Sequence, residues 1–377
     1  MEEGPSRPVV LAANSSWNIL NFRAGLIRAL KDEGYDPVVI APREASSEQR
    51  IAELEVEWLA VSIDRSGMNP LADLRLIARY RHHLKRLRPA PLLGFTIKPN
   101  IYGAIAARTL GIPVIANISG LGTAFIGRGP LRALVTRLYR FALSRAAVVF
   151  FQNPEDRALF LESGIVRPGQ ARLIPGSGVD LERFLPAPLP EGPPVFLLIA
   201  RLLGDKGVGE FVAAARSLRT ELPKARFQLL GPLDEGNRTA IAQGELDRWV
   251  NGGDVEYLGE TGDIRPFVAA ATAVVLPSYR EGLPRTLLEA GAMERPLIAT
   301  DVPGCRQVVA DGVNGFLCRA RDAESLADAI RRLAQLDLSR IRAMGAESRR
   351  KVASEYSEAL VFRAYLDALE KVAGHRS

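Results

Sequence analysis

Acidic side chains are absent from a long stretch of this sequence. Of the 43 Asp and Glu residues in the chain, none lies between residues 74 and 154. The same stretch carries thirteen cations: Arg75, Arg79, Arg81, Lys85, Arg86, Arg88, Lys98, Arg108, Arg128, Arg132, Arg137, Arg140 and Arg145. A basic field on one part of a fold favours nucleic acid, an anionic membrane or anionic ligands as partners. A solvated basic surface with no partner is the alternative interpretation.

Cysteine, histidine and long apolar runs are also scarce. The two cysteines, Cys305 and Cys318, and the three histidines, His82, His83 and His375, show no metal-ligand spacing. A disulfide between the cysteines is one alternative, but a reducing compartment is the preferred interpretation. No apolar run reaches the ~18 residues that cross a bilayer, and the acidic start MEEGPSRPVV does not resemble a signal peptide. We therefore expect a cytoplasmic protein without a His/Cys metal site.

Two common enzyme signatures are incomplete or missing. The run GLGTAF at 120–125 begins like the dinucleotide-binding fingerprint, but Phe125 stands where the third glycine belongs. The first predicted strand is followed by the run NSSW at 14–17 rather than by glycines. No serine nucleophile elbow is found either. The sequence thus lends little support to an oxidoreductase.

Short apolar runs alternate with helical patterns along the chain. The predicted strands are residues 9–13, 37–41, 57–61, 92–96, 114–117, 147–152 and 172–175, then 195–200, 227–230, 255–258, 273–276, 296–299 and 315–317. This alternation predicts an α/β protein with two doubly wound domains, in which ligands gather at the carboxyl ends of the strands. The expected site is therefore a cleft between the domains.

A Pro-rich segment at 185–194 interrupts the alternation and is predicted to be a linker. We place an N-terminal domain at 1–188 and a second domain at 189–355. The remaining residues, 356–377, are predicted to form a C-terminal helix that packs back on the first domain.

A turn with two cations follows an apolar strand in the second domain. In ARLLGDKG, residues 200–207, Arg201 and Lys206 bracket that turn. At the carboxyl end of a strand both can converge on one anionic group, Arg as a bidentate fork and Lys as a compact charge. Such a pair suits a diphosphate, particularly one that gains charge as a leaving group. Two solvated loop charges are the alternative.

Two glutamates lie eight positions apart in SYREGLPRTLLEA, residues 278–290. Glu281 falls in a predicted turn, Pro284 is predicted as the first helical residue, and Glu289 lies about a turn and a half into the helix. Backbone N–H groups at the helix start would face an anion. Because carboxylates bind paired hydroxyl groups, the two can hold different parts of an elongated ligand that contains sugar or ribose. The alternative is that one glutamate is favoured only by the helix dipole and the other is an ordinary surface residue. This alternative explains either glutamate alone, but it explains them poorly once Arg201 and Lys206 are considered as well.

Several segments together resemble a known family. They are ARLLGDKG (200–207), SYREGLPRTLLEA (278–290), PLIATDVPGCRQVVADGVNGFL (296–317), YSEALVFRAYLDAL (356–369), NFRAGLIRALKDEGYDPVVIAP (21–42), TIKPNIYGAIAARTLGIP (96–113) and GLGTAF (120–125). The chain resembles the retaining GT-B glycosyltransferases of family 4, which carry a Glu-x7-Glu motif, and among them the bacterial branch that extends undecaprenyl-diphosphate-linked sugars. The resemblance spans nearly the whole chain. It implies an α/β fold of the GT-B type, with two doubly wound Rossmann-like domains facing across a cleft.

The resemblance also implies roles for individual residues. The catalytic set would be Glu281, on the donor-sugar hydroxyls, with Arg201 and Lys206, which would neutralise the diphosphate in place of a metal. Glu289 would hold the ribose. Further donor contacts are implied for Ser278, Gly282, Leu283, Arg285 and Thr286. Acceptor-side contacts are implied for Asn18, Arg23, Thr96, Lys98, Asn100, Gly120 and Gly122.

The sequence departs from the family pattern at two places. Many members have a histidine that touches the donor sugar where this chain has Ile97, which leaves the identity of the hexose open. Relatives usually have glycine where this chain has Glu294. If that position requires a positive φ, a residue other than glycine costs about 1 kcal/mol.

The segment RGPLRALVTRLYRFAL, residues 128–143, is predicted as a basic amphipathic helix. Its predicted apolar side consists of Leu131, Leu134, Val135, Leu138 and Ala142, and Arg132, Arg137 and Arg140 lie mostly away from that side. Such a helix can lie in a bilayer interface with its cations on anionic headgroups. We expect peripheral attachment to the inner face of the cytoplasmic membrane. An ordinary packing helix with basic ends is the alternative.

We interpret the protein as a metal-independent, retaining hexosyltransferase of bacterial polysaccharide assembly. It would move a hexose or N-acetylhexosamine from a UDP-linked donor to a polyprenyl-diphosphate-linked saccharide, with no cofactor beyond this nucleotide sugar co-substrate. Nucleic acid is not expected as a partner, because aromatic and basic residues do not interleave. A sugar-nucleotide 2-epimerase of the same architecture is an alternative, disfavoured by the acid-free stretch. A non-catalytic sugar-nucleotide-binding protein is another, disfavoured by the intact glutamates and cations.

Overall fold

A computed structural model describes residues 7–64, 69–120, 130–234, 236–237 and 239–374. The chain divides into two compact units. The first unit comprises Met1–Ser177 and Ala359–Ser377, and the second comprises Gly178–Glu358. Each unit contains one parallel β-sheet.

Seven of the described strands form the sheet of the first unit: β1 (Pro8–Ala12), β2 (Asp36–Ala41), β3 (Glu57–Ala60), β4 (Leu92–Gly94), β5 (Val114–Ile118), β6 (Val148–Phe151) and β7 (Ala171–Leu173). Their order is β3-β2-β1-β4-β5-β6-β7. The described helices of this unit are α1 (Ser16–Phe22), α2 (Ala24–Asp32), α3 (Glu48–Ala52), α4 (Pro70–Leu87), α5 (Ala104–Thr109), α6 (Pro130–Leu143), α7 (Pro154–Glu162) and, at the end of the chain, α15 (Glu358–Gly374).

Helices cover both faces of this first sheet. In β1, Val9 and Leu11 pack with α1, α2, α3 and α15, whereas Val10 and Ala12 pack with α4 to α7. A strand buried on both sides is an uninterrupted apolar run, which is why these strands were recognisable in the sequence. From α15, Tyr365 reaches between the rings of Phe95 and Phe150.

The second unit has a six-stranded sheet within the described residues: β8 (Val195–Ile199), β9 (Arg226–Leu230), β10 (Glu256–Tyr257), β11 (Ala273–Leu276), β12 (Leu297–Thr300) and β13 (Gly315–Cys318). Its order is β10-β9-β8-β11-β12-β13. The described helices are α8 (Val208–Leu218), α9 (Gln243–Asn251), α10 (Arg265–Ala270), α11 (Arg285–Ala292), α12 (Cys305–Val308), α13 (Ala323–Ala334) and α14 (Leu338–Glu355). The predicted strands are confirmed in both sheets, with ends that differ by one or two residues.

Both sheets reverse their winding direction at one internal position. In the first sheet β1 lies between β2 and β4, and in the second sheet β8 lies between β9 and β11. In a doubly wound sheet the loops at the carboxyl ends of the two strands flanking this switch point diverge and leave a ligand-binding crevice. The loops after β1 and β4, and those after β8 and β11, are therefore the places where the fold itself positions a site.

The Pro-rich segment is not a free linker, contrary to the sequence-based expectation. The buried guanidinium of Arg295 donates to the carbonyl oxygens of Ala187 and Pro188, each at 2.8 Å. Val179 and Phe184 are already part of the second core, so the units divide after Ser177 rather than at the predicted 188. Proline lacks an N–H group but keeps its carbonyl group, so a buried donor can still hold a proline-rich segment through its carbonyl oxygens. This burial lowers the pKa of Arg295 to about 10.

The backbone at Glu294 has a φ of 60°. The condition stated for this position is met: Glu294 adopts the left-handed conformation that favours glycine. The turn lies against α14, where a Cβ added to Gly345 would be 2.2 Å from the Glu294 carbonyl oxygen. The tight approach of that helix holds the strained turn in place, at a cost of about 1 kcal/mol.

Helix α6 packs on the first sheet with most of its predicted apolar side. Val135 and Leu138 pack against the core and Ala142 is buried, so these three do not face a bilayer. Leu134, from the same predicted set, is exposed. Arg128 and Gly129 lie outside the described residues, as does the side chain of Leu131. The predicted membrane-facing side is therefore wrong, because periodicity identifies an apolar stripe but not what covers it.

Within the described residues, no helix combines the length and the apolar character that crossing a membrane requires.

Candidate functional site

The loops after β8 and β11 are joined by an ion pair at the switch point of the second sheet. The Lys206 ammonium nitrogen lies 2.6 Å from the Glu281 Oε1 atom, and both side chains are largely buried. A pair in this setting is screened much less by solvent and salt than a surface pair. Lys206 and Glu281 were predicted separately from two motifs, and the fold brings them into contact across 75 positions of sequence.

Arg201 lies at the same carboxyl end of β8 but contacts a different carboxylate. Its Nη1 atom is 2.7 Å from Oδ2 of Asp234, which follows β9. Sequence reasoning missed Asp234, although an aspartate just after an apolar strand and a Gly-Pro turn was an available signal. The two predicted diphosphate ligands are thus each held by a carboxylate of their own.

Helix α11 starts one residue later than predicted. Pro284 is its N-cap, with φ −76° and ψ 110°, and Arg285 is its first helical residue. Four positions on, Glu289 is only 8% exposed, and its Oε1 atom is 2.7 Å from Nε of Arg285. Burial raises the pKa of Glu289, and the cations of Arg285 and Arg183 oppose that rise. The second glutamate is therefore set back from the first in a more enclosed position.

A further loop supports the turn that carries Glu281. Gly304, after β12, has a φ of 86°, and a Cβ there would lie 2.6 Å from the Gly282 carbonyl oxygen and 2.8 Å from that of Glu281. Only glycine permits this approach together with this backbone conformation. The Thr300 hydroxyl donates to the Ser278 carbonyl oxygen at the start of the same turn.

The other predicted donor contacts lie on the same segment. Ser278 is buried, and its own hydroxyl oxygen has no hydrogen-bond partner in the described part of the chain. Gly282 is buried in the turn, Leu283 precedes the N-cap, and Thr286 is the second residue of α11. Their assignment to the donor remains a prediction.

Tyr279 provides a second connection between the two loops, and sequence reasoning did not identify it. Its backbone N–H donates to the Asp205 carbonyl oxygen at 2.9 Å, and its hydroxyl donates to Oε1 of Glu210 at 2.5 Å. The Arg321 guanidinium lies 4.7 Å from the ring centroid. Burial, and then the Glu210 carboxylate, raise the pKa of Tyr279 to about 12, so this hydroxyl keeps its proton near neutral pH.

The predicted acceptor-side residues lie at the carboxyl edge of the first sheet. The Asn14 N–H donates to the Thr96 hydroxyl oxygen at 3.0 Å, which joins the loop after β1 to the loop after β4. Asn18 lies in the first turn of α1, and Gly120 follows β5. Gly122 lies outside the described residues.

Three other predicted acceptor-side residues have side chains that contact other residues of the chain. Arg23 is buried with its guanidinium 4.1 Å from the Phe95 ring centroid. The Lys98 ammonium lies 2.9 Å from Oδ1 of Asp73. The buried Asn100 amide donates to the Asn117 carbonyl oxygen at 2.8 Å. Each of these contacts supports the edge of the sheet, and a role in acceptor binding stays a prediction.

Two glycosyltransferase domain families together match most of the chain, one in each half. The model described as "Glycosyl transferase 4-like domain" matches residues 21–176, and the model described as "Glycosyl transferases group 1" matches residues 193–336. The second match contains both switch-point loops described above. The chain belongs to this glycosyltransferase family. It is an enzyme of glycosyl transfer, and the resemblance inferred from its motifs is confirmed.

Individual relatives agree with this assignment. The chain is 28% identical, over 94% of its own length and 96% of the relative's, to the N,N'-diacetylbacillosaminyl-diphospho-undecaprenol alpha-1,3-N-acetylgalactosaminyltransferase of Campylobacter jejuni. It is 27% identical, over 63% of its own length and 64% of the relative's, to the UDP-Gal:alpha-D-GlcNAc-diphosphoundecaprenol alpha-1,3-galactosyltransferase of Escherichia coli.

A solved structure establishes the fold of this glycosyltransferase. Alr3699/HepE of Anabaena, in complex with UDP and glucose, superposes with a TM-score of 0.80 at 17% identity, over 97% of this chain and 100% of that chain. With its two doubly wound parallel sheets, the glycosyltransferase has the predicted GT-B fold.

Proposed function

We propose that this glycosyltransferase transfers a hexose or N-acetylhexosamine from a UDP-linked donor to a polyprenyl-diphosphate-linked saccharide. Transfer proceeds with retention of anomeric configuration and without a metal. The observation that carries the proposal is the meeting of Lys206 and Glu281, 2.6 Å apart, at the switch point of the second sheet. There a cation for phosphate and a carboxylate for sugar hydroxyls lie side by side.

The donor is assigned to the second unit. The Lys206 and Arg201 cations stabilise the charge that develops on the departing UDP, while Glu281 orients the sugar through its hydroxyl groups. Glu289, deeper in α11, accepts from the ribose hydroxyls. The identification of UDP rests on the Escherichia coli relative, named for a UDP-Gal donor, and on the UDP complex of the Anabaena structure.

The bond changes of a retaining transfer balance with these groups alone. The acceptor hydroxyl oxygen bonds to the anomeric carbon on the face from which the diphosphate leaves, as the bond between that carbon and the phosphate oxygen breaks. The hydroxyl proton passes to the departing diphosphate. Because two protein cations carry the leaving-group charge, the step as proposed draws on no metal ion.

A substrate screen tests the proposal. The protein is incubated with UDP-, GDP- and ADP-sugars, each with and without polyprenyl-diphosphate-linked N-acetylglucosamine and other lipid-linked sugars, in the presence and absence of EDTA. We expect a UDP-sugar to be consumed at least tenfold faster with one lipid-linked acceptor, at a rate that EDTA leaves unchanged, to give a product with the anomeric configuration of the donor by NMR. An inverted product would contradict retention, and strict metal dependence would remove the role given to the two cations.

The first unit also offers a surface for the membrane that holds such an acceptor. Helices α4 and α6 pack on the same core cluster of the first unit, and each exposes both apolar and cationic side chains. We call this surface the basic face; it consists of Leu71, Leu74, Arg75 and Arg79 of α4 with Leu134, Arg137 and Phe141 of α6. Leu71 is 65% exposed and Leu74 is 62% exposed. Apolar side chains among cations are what an anionic bilayer interface binds.

Liposome co-sedimentation tests this surface. Each Arg near anionic headgroups contributes about 1 kcal/mol, so an Arg75/Arg79/Arg137→Glu variant is expected to lose about 10²-fold or more in affinity for phosphatidylglycerol vesicles. Wild-type binding should fall as salt rises and be weak on neutral vesicles. The matched control, Arg248/Arg340/Arg342→Glu in the second unit, changes the net charge equally and should bind like wild type. If wild-type protein does not bind anionic vesicles at low salt, this surface does not attach to membranes, and a soluble acceptor becomes the better interpretation.

A further inference from the structure

Trp17 is a large apolar side chain left exposed at the carboxyl edge of the first sheet. It is the second residue of α1, a few positions after β1 ends, and it is 56% exposed. The neighbouring Ser16 and Ile19 are buried. The ring is therefore presented outward at the switch point of this sheet, where the fold positions ligands.

The backbone that carries the ring is held from several directions. The Trp17 N–H donates to Oε2 of Glu44 at 2.9 Å, and the Ser16 hydroxyl donates to the same oxygen at 2.5 Å. The Asn21 side-chain amide donates to the Trp17 carbonyl oxygen at 2.9 Å. The Phe22 ring meets the indole edge-on, with centroids 5.3 Å apart. Since the chain is fixed, the exposed aromatic face loses little further freedom when it binds a partner.

Hydrogen-bonding groups accompany this aromatic face. The Oδ1 atom of Asn18, next in the helix, is buried and has no hydrogen-bond partner in the described part of the chain. A buried acceptor without a donor costs about 1–3 kcal/mol unless a ligand supplies one. Glu44 adds a carboxylate at the start of the same helix. An exposed aromatic ring, with an amide oxygen on the next residue and a carboxylate at the same helix start, supplies the two kinds of group that bind a pyranose, whose C–H groups form an apolar face and whose hydroxyls lie around its rim.

We propose that Trp17 stacks on the sugar ring of the acceptor, with Asn18 accepting a hydrogen bond from one of its hydroxyls. The inference rests on the proposed function, since it names the part of the acceptor that the first unit recognises. The acceptor rather than the donor is chosen because the donor groups described above belong to the second unit. A nucleobase could also stack on an indole, so the test separates the two ligands.

Fluorescence of Trp17 alone tests binding directly. Trp17, Trp58 and Trp249 are the three tryptophans of the chain, so a Trp58→Phe/Trp249→Phe variant leaves one reporter. It is titrated with farnesyl-diphosphate-linked N-acetylglucosamine, N-acetylgalactosamine, glucose and galactose, with farnesyl diphosphate without a sugar, and with UDP. We expect saturable quenching by at least one sugar-bearing probe and little change with the other two ligands. Equal quenching by sugar-free farnesyl diphosphate, quenching by UDP alone, or no quenching by any probe would overturn the proposal.

Kinetics then separate this inference from the proposed function. Trp17→Ala is expected to raise the KM for the lipid-linked acceptor about tenfold or more, with the donor KM and kcat within about twofold; Trp17→Phe should recover most of the loss. Phe22→Leu serves as a control for the packing beneath the ring, and melting temperatures check the fold. An enzyme that transfers sugar with an unchanged acceptor KM in Trp17→Ala keeps the proposed function and loses this inference. If the protein has no transferase activity but a sugar-bearing probe still quenches Trp17, the proposed function fails and the assignment of Trp17 to sugar binding stands.

Discussion

Replacing Lys206 by alanine is expected to lower kcat by about 10²-fold or more, with a much smaller change in the KM for the nucleotide sugar. The negative charge on the leaving diphosphate is largest in the transition state, so a cation beside it stabilises that state more than the bound substrate. Arg201→Ala should have an effect of the same order for the same reason. Steady-state kinetics with a saturating acceptor measure both variants.

The ion pairs of these two cations call for matched controls. Lys206→Ala leaves the largely buried Glu281 without its 2.6 Å partner, so melting temperature and circular dichroism must show an intact fold. Asp234→Asn removes the negative charge beside Arg201 but keeps the guanidinium, and should lose much less activity than Arg201→Ala. Arg219→Ala, which removes one of the two arginines paired with the buried Asp254 carboxylate, should turn over like wild type. A folded Lys206→Ala enzyme that works at the parent rate would remove Lys206 from the site.

Removal of the Glu289 carboxylate is expected to weaken binding of free UDP by about tenfold or more, whereas Glu281→Ala should leave UDP affinity nearly unchanged and abolish most sugar transfer. Glu289 is assigned to the ribose, which free UDP retains, and Glu281 to the sugar, which free UDP lacks. Isothermal titration calorimetry with UDP, beside transfer rates with the intact donor, separates the two effects.

Burial makes the choice of Glu289 variant important. Because Glu289 is paired with Arg285 at 2.7 Å, Glu289→Gln is the gentler substitution, and it should retain part of the UDP affinity through its remaining carbonyl oxygen. Glu347→Ala, which removes a half-buried glutamate paired with Arg350 on α14, serves as the control and should bind UDP normally. The same loss of UDP affinity in Glu281→Ala and Glu289→Ala would refute the division of roles.

Much of the fold could be read from local pattern. Strands such as residues 195–199 and 273–276 are buried on both faces, so each appears as an unbroken apolar run between turn residues. The motifs that follow them, with Arg201, Lys206 and Glu281, could be placed at strand ends for the same reason. Turn chemistry also located the helix that carries Glu289, to within one residue at its start.

Contacts between distant segments could not be read in this way. Asp234 meets Arg201, Glu210 meets Tyr279, and Arg295 holds a proline-rich segment more than a hundred positions earlier in the chain. A one-dimensional pattern records the chemical type of each residue but not its partner, since partners are set by strand order. Asp234 was therefore overlooked, and the segment around Pro188 was mistaken for a linker.

The sequence by itself determined the two doubly wound units and which residues carry charge at the strand ends, because burial periodicity and turn residues are local properties. The family followed from the resemblance of its motifs. Only the tertiary structure decided which surface each side chain faces. It turned Val135, Leu138 and Ala142 of α6 toward the first core, and left Leu71 and Leu74 of α4 exposed. It also buried Glu289 inside α11, while Glu281 stays in the preceding turn, and it left Trp17 exposed at the sheet edge. The apolar side of an amphipathic helix packs against the neighbouring element, and the topology of the whole sheet decides which element that is.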